Sequence, residues 1–434
     1  MSKPIIPIIK KIITVGTPLL AGNFSFYLLQ VADTAMVGRL GTDSLAAIAV
    51  ATLVSGILAT VVWPVTVGTQ GIASRRFGKQ QATPEKERPL AATHTGEVLE
   101  SAILAGIIAS VLAILLSYFA PWVLQQLLPD ERVGIIAYQY IALYRISLPF
   151  LGFSVALTGF LAGIKKTSAI MFSNILSNLI NIGVNYILIF GKLGFPALGI
   201  KGAALGTIIS QAVSALYLLI PLLPREQRRF YNYFSFSSLK PDLLYSIFRS
   251  GLPVGVQNCV ALFIFLVYES LVGAIGTVYL AATHIVFSVF RINKTIVGGF
   301  ARGSSILVGN ALGAEDKEEA LQVVRGCTII ALFIGLMILL LIFLVPEAIA
   351  GLFSKDQETV FLGKKALLFF AIFFFLEVLG YSFEIIFTNN GWGTYVLISE
   401  FSTNVVFILL CTFLSVKVFN WGIYFAWISF ALYQ

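Results

Sequence analysis

Asp33 stands inside a long apolar run, and around it Asn23, Tyr27, Gln30 and Thr34 recur at offsets of 0, 4, 7 and 11. Those offsets put the four polar groups on one broad face of a helix, with Asp33 beside them. A second run repeats the spacing with amides alone: Asn174, Asn178, Asn181 and Asn185. A carboxylate faced by carboxamide oxygens offers the hard oxygen ligands that a small cation takes, and a carboxylate also takes a proton. Two structural readings stand beside this one. Asp33 fits a salt bridge or a helix cap near an interface, and asparagines in membranes commonly hydrogen-bond between helices.

A further set of ionisable groups lies in the second half. Glu269 closes a stripe with Asn258, Leu262 and Phe265, and Glu377, Glu384 and Glu400 follow in later apolar runs. Arg291 and Lys294 lie within reach of the same region along the sequence. These acids and bases either pair structurally or form a site for a cationic ligand or a proton. Phe263, Phe265, Phe287 and Phe290 are candidates to stack on a flat cation. His284 reads as a packed interfacial histidine or a proton sensor. Arg145 is expected to snorkel to an interface.

These groups must be positioned by membrane-spanning helices. Of 434 residues, 58% are hydrophobic and 12% charged, half the charge of an ordinary soluble domain, and the mean hydropathy is +0.91. This composition excludes a soluble enzyme, a disordered chain and a nucleic-acid binder. A bilayer core needs roughly 20 apolar residues as helix. That length recurs twelve times, at 12–36, 45–68, 98–121, 137–160, 168–190, 202–223, 246–272, 279–305, 325–346, 365–388, 394–416 and 419–434. Runs this long exclude an outer-membrane barrel, whose strands are about 10 residues and alternate in polarity. The first run continues past Asp33 with no small-residue cleavage site, so a signal peptide is not expected. Cys259, Cys327 and Cys411 share no metal or redox spacing and read as small core residues.

The net charge of +8 comes from basic residues clustered in short loops. Lys3, Lys10, Lys11, Arg75, Arg76, Lys79, Lys165, Lys166, Arg225, Arg228 and Arg229 fall on one side of the twelve-span threading. Basic residues mark the cytoplasmic side, which predicts both termini inside.

The chain also repeats. A shift of 235 positions carries Gly16 and Pro18 onto Gly251 and Pro253, Asn23 onto Asn258, and Gly38, Gly41 and Thr42 onto Gly273, Gly276 and Thr277. In the same register Gly68 falls on Gly303 and Gly78 on Gly313. The expected organisation is two six-helix bundles, 1–223 and 241–434, joined by a basic cytoplasmic linker at 224–240. Six spans per half leave both halves starting inside, a parallel repeat with a pseudo-two-fold along the membrane normal, as in secondary transporters. The fold class is thus an all-α polytopic membrane protein of twelve transmembrane helices.

Several segments carry a family resemblance: VADTAMVGRLG at 31–41, LAAIA at 45–49, GTQGIASRRFG at 68–78, NIGVNYILIFG at 181–191, AALGT at 203–207 and AATH at 281–284. With them the chain resembles the multidrug and toxic compound extrusion (MATE) family of the MOP flippase superfamily, in its NorM/DinF-like part. The resemblance covers most of the chain and is strongest in the first half. It implies an antiporter that expels amphipathic, often cationic, compounds in exchange for Na+ or H+. Asp33 matches the family's first-helix aspartate, Asn181 and Asn185 fall where it places cation ligands, and Thr207 matches its hydroxyl ligand. Ala203, one turn earlier, would offer a carbonyl. The implied Na+ ligands are Asp33, Asn181 and Asn185. Position 185 is aspartate in some relatives, so asparagine here leaves one fixed negative charge. The NorM branch carries a glutamate on the seventh helix where this chain has Ala261, and a NorM-type second-lobe cation site does not carry over.

The expected function is ion-coupled multidrug efflux by alternating access. Asp33, Asn181, Asn185 and Thr207 are the candidate coupling residues. Asn23, Tyr27, Gln30, Asn174, Asn178 and Glu269 are the candidate substrate-binding residues. No nucleotide-binding GxxxxGK[ST] loop occurs in the sequence, consistent with an ion gradient as the energy source. No catalytic site and no cofactor beyond the coupling ion are expected. The expected partners are small amphipathic molecules and the lipid bilayer, with no nucleic acid and a monomeric state. The expected location is a plasma membrane, the inner membrane of a bacterium. The alternative is a flippase for a lipid or lipid-linked oligosaccharide. Such a cargo calls for a cationic cavity, whereas the first-half stripe is acidic and amidic. A passive channel or scaffold fits poorly with a repeat that carries one carboxylate per half.

Overall fold

The computed structural model describes residues 4–128, 130–235 and 240–433, and among these residues the regular structure is helical. In chain order the helices are α1 (Ile5–Gly38), α2 (Thr42–Val62), α3 (Pro64–Ala82), α4 (Arg88–Ser117), α5 (Ala120–Leu127) and α6 (Glu131–Tyr144). They continue with α7 (Leu148–Gly163), α8 (Thr167–Phe190), α9 (Ile200–Leu219), α10 (Arg225–Tyr231), α11 (Pro241–Gly273) and α12 (Thr277–Gly313). The last are α13 (Lys317–Leu344), α14 (Pro346–Phe353), α15 (Gln357–Phe387), α16 (Gly393–Thr403) and α17 (Ile423–Tyr433).

Ten helical segments among the described residues are long and apolar enough to cross a bilayer. The longest, Gln357–Val418, is two legs joined at a break, and Ile423–Tyr433 is a shorter apolar helix. Counting both legs and the short helix recovers the twelve expected spans. The chain is an all-α, multi-pass membrane protein.

Contacts divide the chain into two compact units. One comprises Thr17–Gly255 and Gly309–Lys317; the other comprises Met1–Gly16, Val256–Val308 and Glu318–Gln434. The helices α1, α11 and α12 each contribute to both.

In the first unit, close helix approach is set by small residues, as expected where lipid leaves no hydrophobic drive between helices. A Cβ on Gly106 of α4 would fall on the carbonyl of Gly152 in α7, and Ser110 Oγ donates to Leu148 O across the same contact at 2.8 Å. Helices α8 and α9 are joined by Ser173 and Ser214 (2.9 Å) and by Ser177 Oγ on Ser210 O (3.0 Å). Gly191 ends α8 in the left-handed conformation, φ 66°, which closes a helix at little cost when the residue is glycine. The glycines of the repeat have matching jobs. A Cβ on Gly78 would meet the carbonyl of Asn310, and one on Gly313 would meet that of Arg75. The 235-residue shift exchanges these two contacts.

The linker is docked onto its own unit. Tyr231 and Tyr233 stack at 5.0 Å, and Tyr233 is buried edge-on against Phe160. Burial pushes the Tyr231 hydroxyl above its ordinary pKa. Glu97 of α4 is buried and takes Lys240 at 2.7 Å, Arg76 at 3.0 Å and His94 at 3.3 Å.

The second unit has an aromatic core of Tyr268, Phe287, Phe290, Phe370, Phe374, Trp427 and Phe430. Its polar edges are satisfied internally: Trp427 Nε1 donates to Thr283 Oγ1 at 2.9 Å and Tyr268 Oη to Ala426 O at 3.2 Å. Phe287 and Phe290 therefore build this core and do not stand ready to stack on a ligand. Phe263 is exposed. Cys327 is buried as expected, but Cys259 is exposed.

The break between α15 and α16 lies at Asn390 (φ −105°, ψ 18°) and Gly391 (φ 94°, ψ 8°). Only glycine takes the second conformation without strain. Amides bind the backbone and hydroxyl groups beside the break: Asn389 Nδ2 donates to Ser305 Oγ (3.0 Å), and Asn390 Nδ2 donates to Ile386 O (2.9 Å) and Ser305 O (3.1 Å). Such breaks occur at membrane depth where protein groups take over the backbone bonds.

Candidate functional site

The first unit brings the carboxylate and the amide stripe together. Asn185 Nδ2 donates to Asp33 Oδ1 at 2.8 Å and to Asn181 Oδ1 at 2.8 Å. Asn181 Nδ2 reaches Ser210 Oγ at 3.2 Å, and Ser210 Oγ donates to Thr207 O at 2.9 Å. Turning the Asn181 amide over brings its nitrogen to 3.3 Å from Asp33 Oδ1 and its oxygen to 3.3 Å from the Thr207 backbone N. Thr207 Oγ1 donates to Ala203 O at 3.1 Å, the carbonyl that Ala203 was expected to offer.

One atom in this network is left over. Asn185 Oδ1 is buried with no hydrogen-bond partner. A buried carbonyl oxygen without a donor is costly. Gly206 of α9 makes room for it, since a Cβ there would collide with Asn185 Oδ1.

The upper part of the amide stripe packs on α1. Asn178 Nδ2 donates to Ser25 Oγ at 2.7 Å, and the absent side chain of Gly22 leaves the place taken by the Asn174 amide. Asn23 and Tyr27 are half-buried and Gln30 is exposed; among the described residues, none of the three side chains joins the Asp33 network.

Tyr140 of α6 was not singled out in the sequence. It is buried, hydrogen-bonds to Thr207 and feels the charge of Asp33. No polar stripe marks α6, so only the tertiary packing of α6 on α9 brings it in. Ser210 and Ser25 were missed for the same reason. Arg145 lies with its guanidinium over the Tyr118 ring, 4.4 Å from its centre.

The second unit separates the acids that the sequence placed together. Glu269 lies 3.4 Å from His284 Nε2 and not against Arg291 or Lys294. Lys294 instead lies 3.3 Å from Glu377, which is 3% exposed and also accepts from Asn293 Nδ2 at 3.3 Å. Glu384 accepts from Gln257 Nε2 at 2.7 Å, and Glu400 from Tyr433 Oη at 3.1 Å. Lys294, Glu377, Glu384, Glu400 and Tyr433 face one cavity of about 530 Å³. Glu269 does not line it.

The chain matches known proteins along most of its length. The MatE family pattern matches residues 18–187 and 253–413. A probable multidrug resistance protein NorM of Thermotoga maritima is 25% identical over 427 residues, covering 97% of this chain and 88% of that protein. A protein of the same name from Photorhabdus laumondii is 25% identical over 378 residues, 85% of this chain and 79% of its own. Among solved structures, a MATE protein in a bent conformation superposes with TM-score 0.86 at 20% identity, covering 100% of this chain and 94% of that one. A MOP superfamily transporter from Pyrococcus furiosus superposes with TM-score 0.84 at 21% identity, covering 100% and 95%. The solved structures establish a common fold, and the family pattern, carried by both halves and including the segment that holds Asp33 and the amide stripe, places this chain in the MatE family.

Proposed function

We propose that this protein is an ion-coupled efflux antiporter that exports amphipathic, often cationic, compounds in exchange for Na+ or H+ by alternating access. The observation that carries this reading is the Asp33–Asn185 pair with its unpartnered buried oxygen. Asp33 is the coupling group, and Asn181, Asn185 and Thr207 surround it. A Na+ ion would find the Asp33 carboxylate and the amide oxygens of Asn181 and Asn185; a proton would bind the same carboxylate. Either neutralises the one fixed charge of the site, and a ligand that binds one conformation better shifts the equilibrium toward it. The names of the relatives support a multidrug cargo.

In this reading the functional lobes are 1–223 and 241–434, the linker and both termini are cytoplasmic, and the protein works as a monomer in the plasma membrane. Asn174 and Asn178 hold α8 against α1, while Asn23, Tyr27 and Gln30 contact cargo. The test is transport by purified protein in liposomes with Na+ and pH gradients imposed separately. Drug movement driven by one of the two gradients supports the proposal. Movement that ignores both, or a preference for a pyrophosphate-linked lipid, overturns it.

A further inference from the structure

We propose that the cavity beside the α15–α16 break is an organic-cation site that prefers dications, with Glu384 and Glu400 as the paired countercharges. The inference takes its ligand class from the efflux reading. The site itself stands on the second unit alone.

The cavity, at about 530 Å³, falls in the range of small-molecule sites, about 300–1,000 Å³. Its walls carry one lysine and three glutamates. Lys294 and Glu377 form an ion pair, and Asn293 fixes the second Glu377 oxygen. That leaves two carboxylates without a directly paired cation among the described residues. Each has a neutral donor only: Gln257 for Glu384 and Tyr433 for Glu400. Glu400 Oε2 is buried without a hydrogen-bond partner.

Lys294 is shared among three glutamates, so the cavity carries an excess of negative charge, and each unbalanced charge costs at least about 2.5–3.5 kcal/mol at the helix centre. A monocation neutralises one of them. A dication neutralises both and needs no proton to do so. The aromatic wall selects the body of the ligand: Trp392 and Tyr395 pack at 5.5 Å on the far side of the break and face the cavity. Planar cations stack on such rings. Glu384 comes from α15 and Glu400 from α16, so one bound dication also ties the two legs of the broken helix together.

The test compares ethidium with propidium, which share the phenanthridinium body; propidium carries a quaternary-ammonium propyl arm where ethidium has an ethyl group. Equilibrium binding to the purified full-length protein is followed by dye fluorescence at neutral pH, with no gradient. The expected result is that propidium binds about tenfold tighter or more, a difference of about 1.4 kcal/mol. Glu384→Gln and Glu400→Gln should each abolish the preference and leave ethidium binding within a few-fold. Glu269→Gln should leave the preference intact. Size-exclusion profile and melting temperature check that each variant is folded; should one glutamine variant fail this check, Gln257→Leu, which removes the neutral donor to Glu384, must reduce the preference. Equal affinity for the two dyes, or a preference that survives both glutamine variants, overturns the proposal. Dye binding fails independently of gradient-driven transport, so the loss of this site and the loss of the efflux reading are distinguishable.

Discussion

Asn185 donates to the Asp33 carboxylate at 2.8 Å and keeps its own buried oxygen without a donor. This one amide holds the carboxylate with its nitrogen, while its oxygen lies against Gly206 of α9. Asn185→Ala should therefore cost more than a hydrogen bond. A hydrogen bond to a charged group contributes about 1.5–3 kcal/mol and favours the ionised carboxylate, so without it the ion dependence should shift roughly tenfold to a hundredfold, toward weaker binding of Na+, which also loses an oxygen ligand, or tighter binding of H+. Ion-concentration dependence of transport in liposomes measures it, and an unchanged dependence would remove Asn185 from the site.

Gly206 is a second handle on the same oxygen. Its Cβ would occupy the place of Asn185 Oδ1, so Gly206→Ala must push the amide away from Asp33. Transport should fall as it does in Asn185→Ala, while melting temperature changes little, because α8 and α9 remain joined by their serine contacts. A variant with full transport would show that the amide is not needed where it lies.

Tyr140→Phe removes a buried hydroxyl that bonds Thr207. The expected outcome is a moderate loss of coupling with the fold preserved, since a single neutral hydrogen bond contributes about 1 kcal/mol. Transport rate measured beside thermal stability separates the two effects. Loss of stability without loss of coupling would make Tyr140 a packing residue only.

Much of the first-unit site was legible in the sequence. Asn181 and Asn185 share a face because they are four residues apart, and Asp33 announces itself as a carboxylate in an apolar run. Thr207 came from the family resemblance. Tyr140 was not legible, because its role depends on how α6 is rotated against α9. The same limit explains the second unit. Helical spacing placed Glu269, Arg291 and Lys294 in one region, but rotation of α12 turns Lys294 to Glu377 and leaves His284 beside Glu269. Phe287 and Phe290 looked available for a ligand because composition cannot tell a lining aromatic from a core one. The spans were legible throughout, including the gap at the α15–α16 break.

The Lys294–Glu377 pair gives a stability prediction. Lys294 is partly exposed and Glu377 is buried, so removing the lysine strands a buried carboxylate, at a cost toward the low end of about 3–5 kcal/mol. Lys294→Met should therefore lower the melting temperature more than the double variant Lys294→Met with Glu377→Gln. A thermal-shift series in detergent measures the difference. If the single and double variants melt together, the pair is not coupled.

Glu97 holds Lys240 at 2.7 Å and binds Arg76 and His94 as well. Glu97→Gln should release the end of the linker. Chymotryptic cleavage after Phe234 in the linker should accelerate severalfold relative to the parent protein, with cleavage in the loops beyond α13 unchanged. Equal cleavage rates would show that the linker is held by its tyrosines alone.

The central claim is that Asp33 couples ion movement to export. Its most direct test is Asp33→Asn in liposomes, with gradient-driven drug transport and equilibrium drug binding measured on the same preparation. Asparagine keeps the shape of the side chain and removes its charge and its proton. The account predicts that gradient-driven transport is abolished while the protein stays folded and drug binding at the second-unit cavity persists. Transport that continues at the parent rate under the same gradient would contradict it.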